Sequence, residues 1–278
     1  MLALPLLEGL QKKLGQPVVL MYKPGSGGIL ASTQLARANP DGYTLLMVLT
    51  PHAANPALHA SLPYDTQKDF APVSLLATLP LLVAAPLKTP ADTIPELIKY
   101  AKANPDKLTF ASAGNGNTSH LAGEMFKTAT GTKMLHVPYK GSGPAVIAML
   151  RGEVSLMFDS ISTSLPQVKG GKLKALAVTG EKRSSLLPDV PTMLEAGVKD
   201  FVVNVWYAII APADTPKPII DQLSIAFSSV VKDPKISQQL AGYGYETVGT
   251  TPDVLAAHFD SELVRWKKVV QESGAKVD

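Results

Sequence analysis

The sequence predicts an α/β protein built as two lobes, and three observations predict it. Helical and strand patterns alternate along most of the chain, the rhythm of parallel strands joined by helices. Three strands run into Gly/Ser-rich turns that open helices. The chain has 278 residues, 46% hydrophobic and 18% charged, enough for two cores, yet it contains no long Ser/Gly/Pro linker. A second lobe without a linker is inserted into the first, so the chain should cross on short hinge strands. Leu108–Ala111 and Val203–Ile210 fit that part. They give residues 1–107 and 210–278 to the first lobe and 108–209 to the second.

The elements follow in order. Leu6, Leu7, Leu10 and Leu14 share a helical face, with Pro5 in the first turn and Gly15 as the stop. Pro17–Tyr22 reads as a strand closed by the turn Lys23–Gly28, then a helix from Ile29 to about Ala38. Pro40-Asp41-Gly42 turns the chain into Thr44–Leu49, an apolar run expected to be a buried strand, and Leu79–Pro86 is another. Thr93-Ile94-Pro95-Glu96 is a capping box for a helix ending near Asn104. Strands at Leu108–Ala111, Leu135–Val137, Val154–Phe158 and Leu173–Val178 alternate with helices at Thr118–Thr130 and Pro144–Arg151, stopped by Gly131 and Gly152. After Val203–Ile210 come helices at Lys217–Val231, Pro234–Tyr243 and Pro252–Ser273, with a short strand near Glu246–Val248.

Composition excludes several functions. Cysteine is absent, which removes disulfides, thiolate metal sites and thiol nucleophiles. Net charge is only +3, with no basic run, so nucleic acid is not an expected partner. No apolar run approaches the ~20 residues of a membrane helix. Met1–Pro5 has no basic leader, and Glu8 and Lys12 interrupt the apolar run, so no secretory signal is read here. The five histidines (His52, His59, His120, His136, His258) form no ligand pair at metal spacing, and each reads as a surface or core side chain. No metal and no cofactor is expected.

The three Gly/Ser-rich turns carry the candidate chemistry. They are Lys23–Gly28, Ser112–Ser119 and Tyr139–Pro144. Helix N-termini present unpaired N–H groups and partial positive charge, and glycine lets the backbone approach a ligand. Each turn is equally readable as an ordinary tight strand-to-helix connection. Ser112–Ser119 is the richest in hydroxyl and amide side chains, and the first turn lacks the Lys-Ser/Thr ending of a phosphate-binding loop. Asp159 follows the strand Val154–Phe158, where a carboxylate either faces a ligand crevice or caps the next helix. Thr50, His52 and Asn55 follow Thr44–Leu49 in the same way, while Trp206 and Tyr207 read as hinge packing or as pocket walls. Ser119 and His120 adjoin, but no Gly-x-Ser-x-Gly elbow occurs, which leaves a serine hydrolase without its frame.

A family resemblance then rests on motifs in combination. Pro24-Gly25-Ser26-Gly27-Gly28 precedes Asn39-Pro40-Asp41-Gly42-Tyr43-Thr44-Leu45-Leu46; Leu62-Pro63-Tyr64-Asp65 and Asp69-Phe70-Ala71-Pro72-Val73 follow. Then come Ala101-Lys102-Ala103-Asn104-Pro105, His136-Val137-Pro138-Tyr139-Lys140-Gly141, Leu187-Pro188-Asp189-Val190-Pro191-Thr192, Ala211-Pro212, Thr215-Pro216 and Arg265-Trp266. Spread over nearly the whole chain, they resemble the Bug/TctC family, the substrate-binding proteins of tripartite tricarboxylate transporters. The resemblance implies a periplasmic-binding-protein type II fold, with central sheets flanked by helices, that closes on its ligand, and a periplasmic location. It implies a small carboxylate ligand (acidic amino acid, nicotinate-like, aromatic, di- or tricarboxylate), membrane permease subunits as partners, a monomer and no turnover. Family pockets hold carboxylate through backbone amides and hydroxyls. That carries over to Ser112, Gly114, Asn117, Thr118, Ser119, Gly141, Ser142, Gly143 and Asp159, and more weakly to Thr50. Family members begin with a strand and a Pro-Gly-Gly loop ahead of the first helix, whereas this sequence opens at the helix, so the usual first strand is expected to be missing. A ligand sensor subunit on the same fold is the second reading, and a hydrolytic enzyme the third.

Overall fold

The computed structural model describes residues 2–23, 25–275 and 277. In chain order the elements are α1 (Leu7–Leu14), α2 (Ile29–Ala36), β1 (Leu46–Leu49), α3 (Pro51–Leu58), β2 (Phe70–Pro86), α4 (Ile94–Ala103) and β3 (Thr109–Ser112). Next are α5 (Thr118–Thr130), β4 (Leu135–Pro138), α6 (Ser142–Arg151), β5 (Leu156–Ser160), α7 (Ile161–Lys169) and β6 (Leu173–Val178). The chain ends with β7 (Asn204–Pro212), α8 (Lys217–Val231), α9 (Pro234–Ala241), β8 (Glu246–Thr247) and α10 (Pro252–Ser273). This is a mixed α/β fold with sheets flanked by helices, as the alternation predicts.

Two compact units divide the chain. The first holds residues 1–78 and 206–268, the second 79–205 and 269–278. The division read from the sequence at 107/108 lies well downstream of the first crossing. The cause is β2, a 17-residue strand buried along nearly its whole length. Its continuous apolar run carries no period-2 signal, so only its second half reads as a strand. The crossings fall within β2, β7 and α10, and β3, expected as a hinge, is an interior strand of the second unit.

In the first unit β1 pairs antiparallel with β7, Leu46 opposite Ile210 and Leu49 opposite Tyr207. The first half of β2 pairs with β8. Trp206 and Trp266 anchor the core, and both indole N–H groups donate to one buried carboxylate oxygen of Glu262, at 2.6 and 2.8 Å. Two expectations fail here. Pro17–Tyr22 forms no strand, because among the described residues no neighbour completes its ladder; Val19, Met21 and Tyr22 are exposed. The run Thr44–Leu49 gives only a four-residue strand in which Val48 alone is buried, so it is not the fully covered strand its apolarity suggests. Pro24, part of the first Gly-rich turn, lies outside the described residues.

The second unit carries the order β6-β2-β5-β3-β4. Strands β5, β3 and β4 run parallel, with Phe110 opposite both Leu156 and His136 and Ser112 opposite Pro138. Phe110, Phe126, Phe158 and Phe201 are buried and form its aromatic core. Gly123 sits against Phe110 so closely that a Cβ there would fall 2.2 Å from the ring. The expected helix signals operate: Thr93 Oγ1 accepts from the Glu96 amide at 3.3 Å, and Gly131 and Gly152 end α5 and α6 in the left-handed region. No described helix is long and apolar enough to cross a membrane.

Candidate functional site

Parallel pairing decides where the polar turns meet. Because β3, β4 and β5 point the same way, their C-terminal ends share one sheet edge, and the helices that follow, α5, α6 and α7, all start there. Nine of the ten residues singled out from the sequence lie at this edge of the second unit. The tenth, Thr50, belongs to the first unit.

The turn after β3 is self-braced. The Tyr139 amide donates to the Ser112 carbonyl at 3.0 Å, and the Gly141 amide to the Ala113 carbonyl at 3.1 Å, so the turn after β4 is tied to it. Asn117 caps α5: its Oδ1 accepts from the Ser119 amide at 3.2 Å and from the Ser119 hydroxyl at 3.1 Å. The Ser119 hydroxyl accepts in turn from the Ala113 amide at 2.9 Å. Gly114 has φ +131°, a conformation that side chains other than glycine rarely adopt.

The second turn is different. Gly141, at φ +105°, is the N-cap of α6, and no side chain caps this helix. The backbone around Ser142 and Gly143 is open, with free space where a Gly143 Cβ would stand. The helix dipole and the N–H groups without a side-chain cap make this open helix start attractive to an anion; α7 also lacks a side-chain cap at Ser160.

Asp159, near the C-terminal end of β5, has no exposure. Its Oδ2 accepts from the Ser164 hydroxyl at 2.6 Å, and its Oδ1 is buried without a hydrogen-bond partner. Burial pushes its pKa up to about 6. The Ser164 and Ser142 hydroxyls and the Ser160 amide pull it back, without closing a bond on Oδ1. Asp159 is therefore neither a cap of α7, whose N-cap is Ser160, nor an exposed wall of the edge.

Sequence reasoning missed two further contributors. His120 Nδ1 accepts from the Gly116 amide at 3.2 Å, and His136 Nε2 lies 2.6 Å from the Ser112 hydroxyl. The two rings stack with centroids 4.0 Å apart. A local signal existed only for His120, which lies four residues after Gly116 across a helix start; the place of His136 follows from the β3–β4 register, two residues before the pairing partner of Ser112.

In the first unit the Thr50 hydroxyl accepts from the Trp206 amide at 3.4 Å, and Thr50 is fully buried. His52 is buried with its Nδ1 3.4 Å from the Ser32 hydroxyl, and the Asn55 amide donates to the Gly27 carbonyl at 3.2 Å. Trp206 is core, held by Glu262, and Tyr207 packs edge-on against Tyr245. Among the described residues no group of three His, Asp or Glu is placed to hold a metal.

The comparisons with known proteins agree with this architecture. The family model "Tripartite tricarboxylate transporter family receptor" matches residues 3–275. The solved structure of periplasmic binding protein BugD is 36% identical, covers 99% of this chain and 93% of its own, and superposes with a TM-score of 0.89. Rpa4515 of R. palustris, solved with adipate, is 32% identical, with coverages of 99% and 93% and a TM-score of 0.92. MatC of Rhodopseudomonas palustris, solved with bound malate, is 34% identical, with coverages of 97% and 93% and a TM-score of 0.88. The chain belongs to the Bug/TctC family of periplasmic substrate-binding proteins, the receptors of tripartite tricarboxylate transporters.

Proposed function

We propose that this chain captures a small organic carboxylate for a tripartite tricarboxylate transporter, holding it as a monomeric receptor that closes on its ligand and hands it to permease subunits unchanged. The observation that carries the reading is the uncapped start of α6 tied by Gly141 to the capped start of α5. Two helix N-termini on one edge offer directed N–H groups to an anion without a cationic side chain. In this reading Ser112, Gly114, Asn117, Thr118, Ser119, Gly141, Ser142 and Gly143 form the carboxylate cradle. Asp159 is the buried carboxylate of this group, and Thr50 is the weaker candidate, to be tested on its own. Two similar proteins were solved with adipate and with malate, both dicarboxylates, which supports a small organic carboxylate as the ligand class.

The site is arranged for holding rather than turnover. Ser112 and His136 resemble a nucleophile and its base, but Ser112 is fully buried and its hydroxyl also bonds the Gly114 amide at 3.2 Å. Burial first, then His120 and Lys127, depress the His136 pKa to about 3, so it is a poor proton acceptor at neutral pH. Ser119 is bonded to Asn117 and Ala113, not to His120.

A thermal-shift screen against mono-, di- and tricarboxylates and acidic amino acids tests the proposal. A ligand at about a hundred times its dissociation constant adds roughly 2.7 kcal/mol. One dicarboxylate raising the melting temperature supports the reading. A flat response across the panel at millimolar concentrations overturns it.

A further inference from the structure

We infer that His120 and His136 are positioning residues: a stacked pair of neutral imidazoles that fixes the Ser112–Asn117 turn in its ligand-receiving shape. The pair has one polar bond to each end of that turn. His120 Nδ1 accepts from the Gly116 amide, and His136 Nε2 meets the Ser112 hydroxyl. Ser112 in turn accepts from the Gly114 amide and lies 3.2 Å from the Gly114 carbonyl. The turn glycines are thus held by two rings that also stack on each other.

The surroundings fix the chemical state. A backbone N–H can only donate, so Nδ1 of His120 must carry a lone pair, and its proton sits on Nε2. That nitrogen faces Glu124 Oε1 at 3.9 Å, and Glu124 is itself paired to Lys127 at 2.8 Å. Phe110 stacks with His136, centroids 4.9 Å apart, and with His120, centroids 6.4 Å apart, and Lys127 lies 5.8 Å from the Phe110 ring centre. Burial and the Lys127 charge depress His120 to about pKa 4. Packing alone would be served by any flat apolar side chain. What this arrangement adds is one acceptor atom at Nδ1 of the first ring and one polar atom at Nε2 of the second.

That asymmetry gives the test. The side-chain oxygen of asparagine reaches about where Nδ1 stands, and the amide end of glutamine about where Nε2 stands. Four variants are needed: His120→Asn, His120→Gln, His136→Asn and His136→Gln. The main readout is amide hydrogen exchange of Gly114 and Gly116 in the ligand-free chain, with far-UV circular dichroism and urea unfolding as checks on folding. The expected pattern is crossed. His120→Asn and His136→Gln keep exchange within about threefold of wild type, while His120→Gln and His136→Asn speed it at least tenfold. Equal exchange in all four overturns the inference, and so does loss of folding in both variants of either pair, since packing alone would then explain the rings. A second readout is calorimetric titration with malate and adipate, which rests on the carboxylate reading of this edge. Its affinity losses should follow the same crossed order. Failure of the wild-type chain to bind either acid counts against that reading, while the exchange pattern still decides the role of the histidines.

Discussion

The two units use the same local motif, a strand running into a helix start, and reach opposite results. In the second unit three parallel strands, β3, β4 and β5, deliver three helix starts to one edge, and the α6 start remains uncapped. In the first unit β1 is antiparallel to its partner β7, and only α3 starts at its end. There the Thr50 hydroxyl is committed to the Trp206 amide, and Asn55 to the Gly27 carbonyl. Parallel pairing concentrates unsatisfied donors, whereas an antiparallel pair sends neighbouring strand ends to opposite sides. An anion cradle thus follows from strand direction before any particular side chain is considered.

The strongest way to break this contrast is to put charge at the uncapped helix start. Gly143 has ordinary backbone angles and open space at its Cβ, so a side chain there strains nothing. Gly143→Glu sets a carboxylate where the ligand carboxylate is proposed to lie. Affinity for the best ligand should fall about a hundredfold, roughly 2.7 kcal/mol, with an unchanged melting temperature of the free chain. Isothermal titration beside a melting curve decides it, and unchanged affinity would remove α6 from the site. Gly114 is a poorer probe, because at its φ any side chain distorts the turn itself.

Asp159 sharpens the comparison through pH. Its pKa in the folded chain, about 6, stands above the ordinary 3.8, so folding favours the protonated form. Its stabilising share is full below pH 4 and is lost as pH rises through 6, by at most about 3 kcal/mol. His120 and His136 act oppositely: their depressed pKa values make stability fall as pH drops below the ordinary histidine range. Asp159→Asn removes only the first contribution. Urea unfolding of both proteins from pH 4 to 8 should show the variant gaining on wild type by about 2 kcal/mol as pH rises, on top of a pH-independent offset from its unpartnered amide. A difference curve that stays flat would mean that Asp159 is not held in a proton-favouring environment.

Much of this edge was legible in the sequence because turn chemistry is local. Gly114, Asn117, Gly131, Gly141 and Gly152 announce turns, caps and stops through their own backbone preferences, and the structure puts each at such a position. What was not legible depends on partners distant in sequence. β2 has no period because it is covered on both faces. Pro17–Tyr22 has strand composition without a strand to pair with. The histidine brace needs the register of β3 against β4, which no single-segment pattern reveals.

Asn117→Ala is the next smaller perturbation. It deletes the cap of α5 and releases the amide and hydroxyl of Ser119. A stability loss of about 1 kcal/mol is expected from the cap. Affinity should fall about tenfold because the turn loses its shape while the α6 start remains. If affinity holds while stability drops, α5 is scaffold and the cradle belongs to α6 alone.

The smallest effect on affinity is expected in the first unit, at Thr50. Thr50→Val keeps the shape and buried volume but removes the oxygen that accepts from the Trp206 amide. A buried N–H left without its acceptor costs about 1 kcal/mol or somewhat more. Thr50→Ser restores the oxygen and should recover most of that stability. If the hydroxyl serves β7, affinity in the valine variant stays within about threefold of wild type while the melting temperature falls. If Thr50 is also a ligand contact, affinity falls about tenfold or more in the valine variant and returns in the serine variant along with stability. The comparison between units turns on this pair: a small affinity change leaves carboxylate recognition to the parallel edge of the second unit, and a large one makes the antiparallel unit an equal partner in it.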